Sequence, residues 1–388
     1  MTGGCVTGGC VTGGCVTGLR DGAGVTELGG LIARRIALTG PISLADFMAE
    51  ALGHPRLGYY RRAVPVGAAG DFTTAPEISQ RFGELIGAWL AERWLAIGRP
   101  APVRLVELGP GRGTLMADAL RATRAVPGFH AALDLHLVDT NAPMREAQRL
   151  ALRGYAPTWH ERFDEVPDGP LLLVANEFFD ALPVRQFHRT AQGWRERMVG
   201  LDEQGGLRLA LAPGATPFAS LLPDADEGAE AELGEAGRAL AGAIGARIAH
   251  DGGWALIIDY GAGTAGRAAS LQAVRGHQGA SILDRPGETD LSAHVDFAAL
   301  AASAGVAAYG PVGQGEFLRR LGLQERAQAL KQRAKPAQEN AIDAASARLI
   351  APDQMGTLFR ALALGDGKNA PPAGFTDTPS DDTPRTFT

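Results

Sequence analysis

The chain has 388 residues, 45% of them hydrophobic and 21% charged, with a formal net charge of −6. That length buries a full core in one large or two modest domains, and the acidic balance excludes the basic face that nucleic-acid phosphates require. No apolar run approaches the ~20 residues that span a bilayer, and the first residues lack the basic-then-apolar order of a secretory signal. A cytoplasmic protein that is not integral to a membrane is therefore the default expectation.

Residues 2–16 repeat TGGCV three times and carry all three cysteines, Cys5, Cys10 and Cys15. A Gly- and Thr-rich five-residue period buries no core, so residues 1–27 read as a disordered tail. With no cysteine beyond it, the folded body has neither a disulfide framework nor a cysteine zinc site. The Thr-, Asp- and Pro-rich end, 376–388, reads as a second tail. Between them, 28–100 reads as a helical region and 101–375 as the main domain.

Residues 28–52 predict two helices around a turn at Gly40-Pro41, the second ending at Gly53. Thr74-Ala75-Pro76-Glu77 predicts a capping box. It opens a helix with Ile78, Phe82, Leu85, Ile86, Trp89 and Leu90 on one face. From 103 onward strands and helices alternate, the mark of a parallel sheet. Strands are predicted at 103–108, 133–139, 171–175, 255–259 and near 306–309, and a hairpin at 184–199. Helices are predicted at 114–123, 143–152, 225–250 and from about 310 to Leu364.

The first strand runs into Glu107-Leu108-Gly109-Pro110-Gly111-Arg112-Gly113-Thr114. Glycines at alternate positions let the backbone turn tightly and approach a ligand closely at a strand's carboxyl end. The dinucleotide pattern wants Gly or Ala where Thr114 stands, and Pro110 removes an amide that a pyrophosphate would use. Glu107 repels a phosphate and attracts a cation. Asp139, ending the next strand, is placed to accept ribose hydroxyls. Two acids around this turn describe a site for a positively charged adenosine, as in S-adenosylmethionine. The plainer alternative makes Glu107 a surface residue and Asp139 a helix cap.

The strand 171–175 delivers Asn176-Glu177-Phe178-Phe179-Asp180 to the same sheet edge. Asn176 both donates and accepts, and Glu177 accepts from a guanidinium. The two Phe side chains exclude water or stack on a flat cation. Asp180 serves equally well as a helix cap, and Asp259, at the next strand end, as the cap of a loop.

These residues carry a resemblance to the MidA-like methyltransferases, which include the mitochondrial complex I assembly factor that methylates an arginine. The matching stretches include FMAEALGHPRLGYY (47–60), GDFTTAPEISQRFGELIGAWL (70–90), LVELGPGRGTLMADALR (105–121), ANEFFDALPVRQFH (175–188), LIIDYG (256–261) and PGETDLSAHVDF (286–297). Matches continue in order over nearly all of 28–375. The resemblance implies a class I methyltransferase fold: a Rossmann-like doubly wound α/β sheet with an added N-terminal helical region and helical insertions. It implies S-adenosyl-L-methionine as cofactor, contacted by Glu107, Gly109, Gly111, Gly113 and Asp139. It also implies that the segment 70–74, with Asp71 and Thr74, packs over that cofactor. The partner it implies is a protein substrate, the 49-kDa-type quinone-site subunit of NADH dehydrogenase. The compartment is the cytoplasm of a bacterium or the mitochondrial matrix of a eukaryote. One departure is Thr140-Asn141 after Asp139, where relatives commonly have Ser-Pro; another is a shortened, Gly/Ala-rich loop after Tyr260.

On this reading Glu177 is the catalytic carboxylate, assisted by Asn176, Asp180 and Asp259. The rivals are a catalytically silent complex I assembly chaperone on the same fold and a nucleotide-dependent oxidoreductase, which the glycine spacing disfavours. His277, Glu288, Asp290, His294 and Asp296 match no compact metal-ligand motif, and no metal is expected; Asp296 reads as the cap of a helix starting at Phe297. The absence of a GxSxG elbow or a cysteine nucleophile disfavours covalent hydrolysis.

Overall fold

A computed structural model describes residues 26–61, 74–261, 269–332 and 334–375. Asp71, the loop after Gly261 and nearly all of both expected tails lie outside the described residues.

Seven strands form the central sheet: β1 (Val103–Leu108), β2 (Leu133–Val138), β3 (Thr158–His160), β4 (Leu171–Asn176), β5 (Gly253–Tyr260), β6 (Ala307–Gly313) and β7 (Phe359–Gly365). Their spatial order is β3-β2-β1-β4-β5-β7-β6. Neighbours from β3 through β5 are parallel, while β7 is antiparallel to β5 and to β6. Chain order reverses between β1 and β4, which makes the crevice outside their carboxyl ends the expected ligand site of such a sheet.

The apolar runs of β4 and β5 are buried along their whole length, because helices cover both faces of a parallel sheet. Side chains alternate between the two faces. Leu105, Leu172, Val174, Leu256 and Ile258 pack with Phe82, Trp89, Leu115 and Phe317 on one side. Val106, Leu173, Ala175 and Ile257 pack with Ile244, Ile248, Phe297 and Leu300 on the other. Asp296 caps the helix Phe297–Ala304, accepting from the Ala299 amide at 2.9 Å.

Three expectations need correction. The stretch ending at Leu364 is not helical throughout: after the short helix Met355–Leu358 it becomes β7. Pairing between β5 and β6, with Ala361 and Ala363 on one face and Leu362 and Leu364 on the other, overrides the helix propensity of Ala and Leu. The Ala-rich helix starts at Glu235 rather than 225, because Glu230–Leu233 joins the predicted hairpin as a strand. There Ala231 and Leu233 face inward, while Glu230 pairs with Arg197 and Glu232 accepts from Gln186. The capping box at Thr74 is not formed either. The Thr74 side chain makes no cap bond, the helix breaks after Ala75–Ile78, and Ser79 caps the helix Gln80–Ala96 instead. Glu77 accepts from Thr114 Oγ1 at 2.6 Å, across the interface with the glycine-loop helix.

The N-terminal helices Glu27–Thr39 and Leu44–Gly53 build a third core. Leu28, Ile32, Phe47 and Met48 pack there with Val184, with Val199 of an antiparallel sheet, and with Ala273 and Leu291 of a three-stranded one. No helix among the described residues is long and apolar enough to cross a membrane.

Helix Gln80–Ala96 lies against helix Thr114–Ala122 at glycine distance. A Cβ on Gly83 would meet Leu115 O at 2.9 Å, and one on Gly87 would meet Ala119 O at 2.5 Å. This contact seats the helix that ends the glycine turn. Gly87→Ala is expected to cost about 1–3 kcal/mol through overpacking and to lower the melting temperature by a few degrees in a thermal unfolding scan.

Candidate active site

After β1 the chain turns through Gly109 (φ +63), Gly111 (φ +50) and Gly113 (φ +82). These left-handed conformations strain any other residue. The space beside each glycine differs. A Cβ on Gly109 would lie 2.7 Å from the Phe178 ring and one on Gly113 3.3 Å from Gln148 Cα, whereas one on Gly111 would meet nothing within 4 Å. Protein fills the first two positions, and the third is left open toward a ligand.

Three cavities meet at this edge. The largest, ≈ 430 Å³, is lined by Gly109, Gly111 and Asp139 with the apolar Leu52, Val138, Met144, Phe178 and Leu182, and also by Glu161. The smallest, ≈ 70 Å³, is lined by Glu107, Gly109, Gly111, Asn176, Thr74 and Glu77 among others. The third, ≈ 240 Å³, holds Tyr59, Tyr60, Asp180, Tyr260 and Asp290. Glu177 is the one described residue that lines all three. Thr74 lines two of them, at the end of a segment whose Asp71 lies outside the described residues.

The smallest cavity carries an unsatisfied chemistry. Glu107, 3% exposed, has a buried Oε2 without a hydrogen-bond partner among the described residues, and Asn176 has a buried Oδ1 in the same situation. Burial, helped by the Asp139 charge, pushes the Glu107 carboxyl up to about 8. Two buried acceptors in one small space call for a cationic donor, since leaving them unmet costs more than an ordinary hydrogen bond returns. The ammonium of an amino-acid moiety supplies three such donors.

Asp139 stands at the end of β2 with its carboxylate held in place. Its Oδ1 accepts from the Asn141 amide at 2.7 Å and its Oδ2 from Gln148 Nε2 at 2.8 Å. Burial nonetheless raises its pKa, against the lowering effect of those bonds. Asn141, in the departure that follows Asp139, does the work of a turn residue: its Oδ1 accepts from the Met144 amide at 3.3 Å. Gln148 escaped the sequence reading. Fully buried, it donates to Gly111 O at 2.8 Å as well as to Asp139, and accepts from Trp159 Nε1 at 2.8 Å. The available signal was an amide at i+4 from Met144 and i−4 from Leu152, on the apolar stripe of its helix. Glu161 and Tyr60 were missed too, and no local pattern marks either.

At the end of β4, Asn176 is buried and donates from Nδ2 to Glu177 Oε1 at 3.1 Å. The same oxygen accepts from the Ala75 amide at 2.9 Å, so Glu177 supplies the cap that Thr74 does not. Glu177 has φ +52, an uncommon conformation for a side-chain-bearing residue. Removal from water raises its carboxyl to about 7, with Asp259 adding to the rise and the two hydrogen bonds opposing it. Asp259 is fully buried and acts as the organiser of the loop. Its Oδ2 accepts from the amides of Phe178, Phe179 and Asp180 at 3.0, 2.8 and 3.3 Å, and its Oδ1 from Tyr260 N at 2.8 Å. Burial lifts it to about 7 despite those four amides. Asp180 lies in the single turn Phe179–Ala181. Burial and the charges of Asp259, Asp290 and Glu177 hold its carboxyl well above the usual range.

The arrangement fits S-adenosylmethionine. Glu107 and Asn176 would take its ammonium, Gly111 its close approach, Asp139 its ribose hydroxyls, and the apolar wall of the largest cavity its flat base. Gly111→Ala is expected to preserve the fold at a cost of about 1–2 kcal/mol for a left-handed side-chain-bearing residue. It should weaken S-adenosylmethionine binding by calorimetry at least about tenfold, the equivalent of ~1.4 kcal/mol. Glu107 adds a pH effect. Its folded-state carboxyl keeps its proton up to about 8, while in the unfolded chain it ionises near ~4.3. The unfolded state therefore binds fewer protons between these values, and the ligand-free protein loses stability as pH rises from ~4 to ~8. Thermal scans of Glu107→Gln should show this contribution removed, with higher stability than the parent at pH 8 and weaker cofactor binding.

Comparison with known proteins gives the family. Residues 85–312 match the family model described as "Putative S-adenosyl-L-methionine-dependent methyltransferase". The chain is 37% identical over 362 residues to "Protein arginine methyltransferase NDUFAF7, mitochondrial" of Danio rerio, covering 86% of this chain and 85% of that protein. It is 35% identical over 360 residues to the Homo sapiens protein of the same name, covering 85% and 81%. A Burkholderia thailandensis structure bound to S-adenosyl-homocysteine superposes with a TM-score of 0.78 at 29% identity, covering 90% of this chain and 94% of that one. Sheet order, glycine turn and relatives agree: the chain belongs to the MidA-like family of S-adenosyl-L-methionine-dependent methyltransferases.

Proposed function

We propose that this methyltransferase acts on a guanidino nitrogen of an arginine in a protein, and that its substrate is the 49-kDa-type quinone-site subunit of respiratory complex I during assembly. The observation that carries the reading is the position of Glu177, the one described residue shared by the cofactor cavities and the acidic third cavity. The relatives named as protein arginine methyltransferases support the substrate class.

S-adenosylmethionine supplies, when bound, a methyl group on a positively charged sulfur. An arginine side chain stays protonated at any working pH, its pKa lying above ~12. A carboxylate is therefore needed to orient the cation and to receive the proton that its nitrogen sheds as the N–C bond forms. Glu177, lifted to about 7, has the affinity for a proton that this role requires. Asn176 and the Ala75 amide hold the carboxylate, and Asp259 holds the loop that presents it. Asp180 stands beside it as a further carboxyl. Most of the acceleration would come from positioning two reactants in line.

The relatives are mitochondrial proteins by name, which supports the matrix as the compartment if the source is eukaryotic. They lend no support to the cytoplasmic expectation.

Glu177→Gln is expected to lower kcat by about 10²–10⁴-fold, the usual worth of a general base, with S-adenosylmethionine affinity largely kept. In the parent enzyme the carboxylate must be ionised to accept a proton. kcat/KM should therefore rise with pH through an apparent pKa near 7 and level off above it, and Glu177→Gln should lose this limb. Mass spectrometry of the 49-kDa-type subunit with and without this protein is the direct test. A subunit equally unmethylated in both, in cells where complex I assembly depends on this chain, would favour the silent chaperone.

A further inference from the structure

We infer that Gln148 is the positioning residue for the cofactor's ribose, holding the Asp139 carboxylate so that each of its oxygens takes one of two neighbouring hydroxyls. Gln148 lies on the helix Met144–Ala151, fully buried behind the ≈ 430 Å³ cavity that Asp139, Gly111 and Met144 line. The inference takes the placement of the adenosyl donor along that cavity as its premise. It is independent of which molecule receives the methyl group.

The surroundings of this side chain admit one kind of residue. Two acceptors and one donor stand around it: Gly111 O and Asp139 Oδ2, each 2.8 Å from Nε2, and Trp159 Nε1, 2.8 Å from Oε1. A primary amide has two N–H donors on one atom and an acceptor on the other, so it meets all three at once. The flipped amide would set its oxygen against two oxygens and its NH₂ against an indole N–H, which fixes the orientation. An ionised Glu would have no donor for the two oxygens, and Lys no acceptor for the indole. The backbone of the same residue is seated as well, since a Cβ on Gly113 would lie 3.3 Å from Gln148 Cα. Gln148 therefore touches the glycine turn twice and the acid of the neighbouring strand once.

The consequence lies in what remains free on Asp139. An ionised carboxylate offers about four acceptor sites, two on each oxygen. The Asn141 amide takes one on Oδ1 at 2.7 Å, and Gln148 takes one on Oδ2. One site is left on each oxygen, the pattern that two adjacent hydroxyls of a ribose require. The terminal torsion of Asp is intrinsically broad, so a carboxylate held at one oxygen only would swing away from that pattern. Burial raises the Asp139 pKa, and the Gln148 bond is one of those opposing the rise. Removing it therefore costs both the direction and the acceptor strength of the group.

The test uses the full chain and calorimetry with S-adenosylhomocysteine and its 2′,3′-dideoxy analogue, so no methyl acceptor is needed. The parent should bind the ribose ligand at least about tenfold more tightly than the dideoxy one, as expected for a charge-assisted hydrogen bond. Gln148→Met, of similar length and helix preference, should lose about tenfold or more in S-adenosylhomocysteine affinity but less than about threefold for the dideoxy ligand, which never used Asp139. Trp159→Phe leaves both amide donors in place, and should keep the ribose preference within about threefold of the parent. Where Gln148→Met alone fails to fold, combining it with Trp159→Phe removes the indole N–H left unpaired and gives the same readout. A shrunken ribose preference in the Gln148 variants alone supports the inference. Equal losses for the two ligands, an intact ribose preference without Gln148, or the same shrinkage in Trp159→Phe would overturn it. So would a parent protein that binds both ligands equally, because Asp139 would then not read the ribose.

Discussion

Asp259 lies fully buried at the end of β5, and its carboxylate collects the amides of Phe178, Phe179, Asp180 and Tyr260. Where β4 and β5 leave the sheet, the loop after β4 loses its strand partners and its amides need another acceptor. A short side chain with two oxygens serves three consecutive residues of that loop. The conformation so enforced includes Glu177 at φ +52, which the chain would not adopt unaided. Burying a carboxylate is costly, and its pKa near 7 shows that burial outweighs even four hydrogen bonds. The fold accepts that cost at the point where one side chain must face three cavities.

The same logic runs through the rest of the site. Glu107 and Asn176 present buried acceptors without partners among the described residues, and Asp180 and Glu177 hold their protons more tightly than surface acids do. Each group is unfavourable in isolation and becomes favourable beside a positive charge. A sulfonium donor that also bears an ammonium brings two such charges, and the proposed guanidinium acceptor would bring a third. The protein is arranged to be completed by its ligands, and binding them returns stability that the empty site forgoes.

Rigidity comes from the layers beneath. Gln148 ties Gly111, Asp139 and Trp159 into one network, so the glycine turn, the acid at the end of β2 and the edge strand β3 are held together. The close contact of Gly83 and Gly87 with the following helix fixes where that turn ends. Thr114 and Glu77 carry the constraint onward to the short helix whose first amide Glu177 caps. Loss of any one link would be felt at the others, because the groups share partners.

Much of this was legible in the chain alone. Continuous apolar runs ending in Gly, Asn or Asp marked the parallel strands and their functional ends, because backbone turns at a sheet's edge need residues of particular conformational freedom. Glu107, Gly111, Asp139 and Glu177 could be picked out by position relative to those strands. β7 could not be read, since its Ala-Leu-Ala-Leu centre, Ala361 to Leu364, favours a helix until two neighbouring strands offer their hydrogen bonds. Nor could the role of Asp259, which depends on amides some eighty residues earlier, or the meeting of Tyr60 with Asp290 across 230 positions. Local sequence decides what a segment can do with its own backbone; which distant acids share one cavity is decided only when the layers pack.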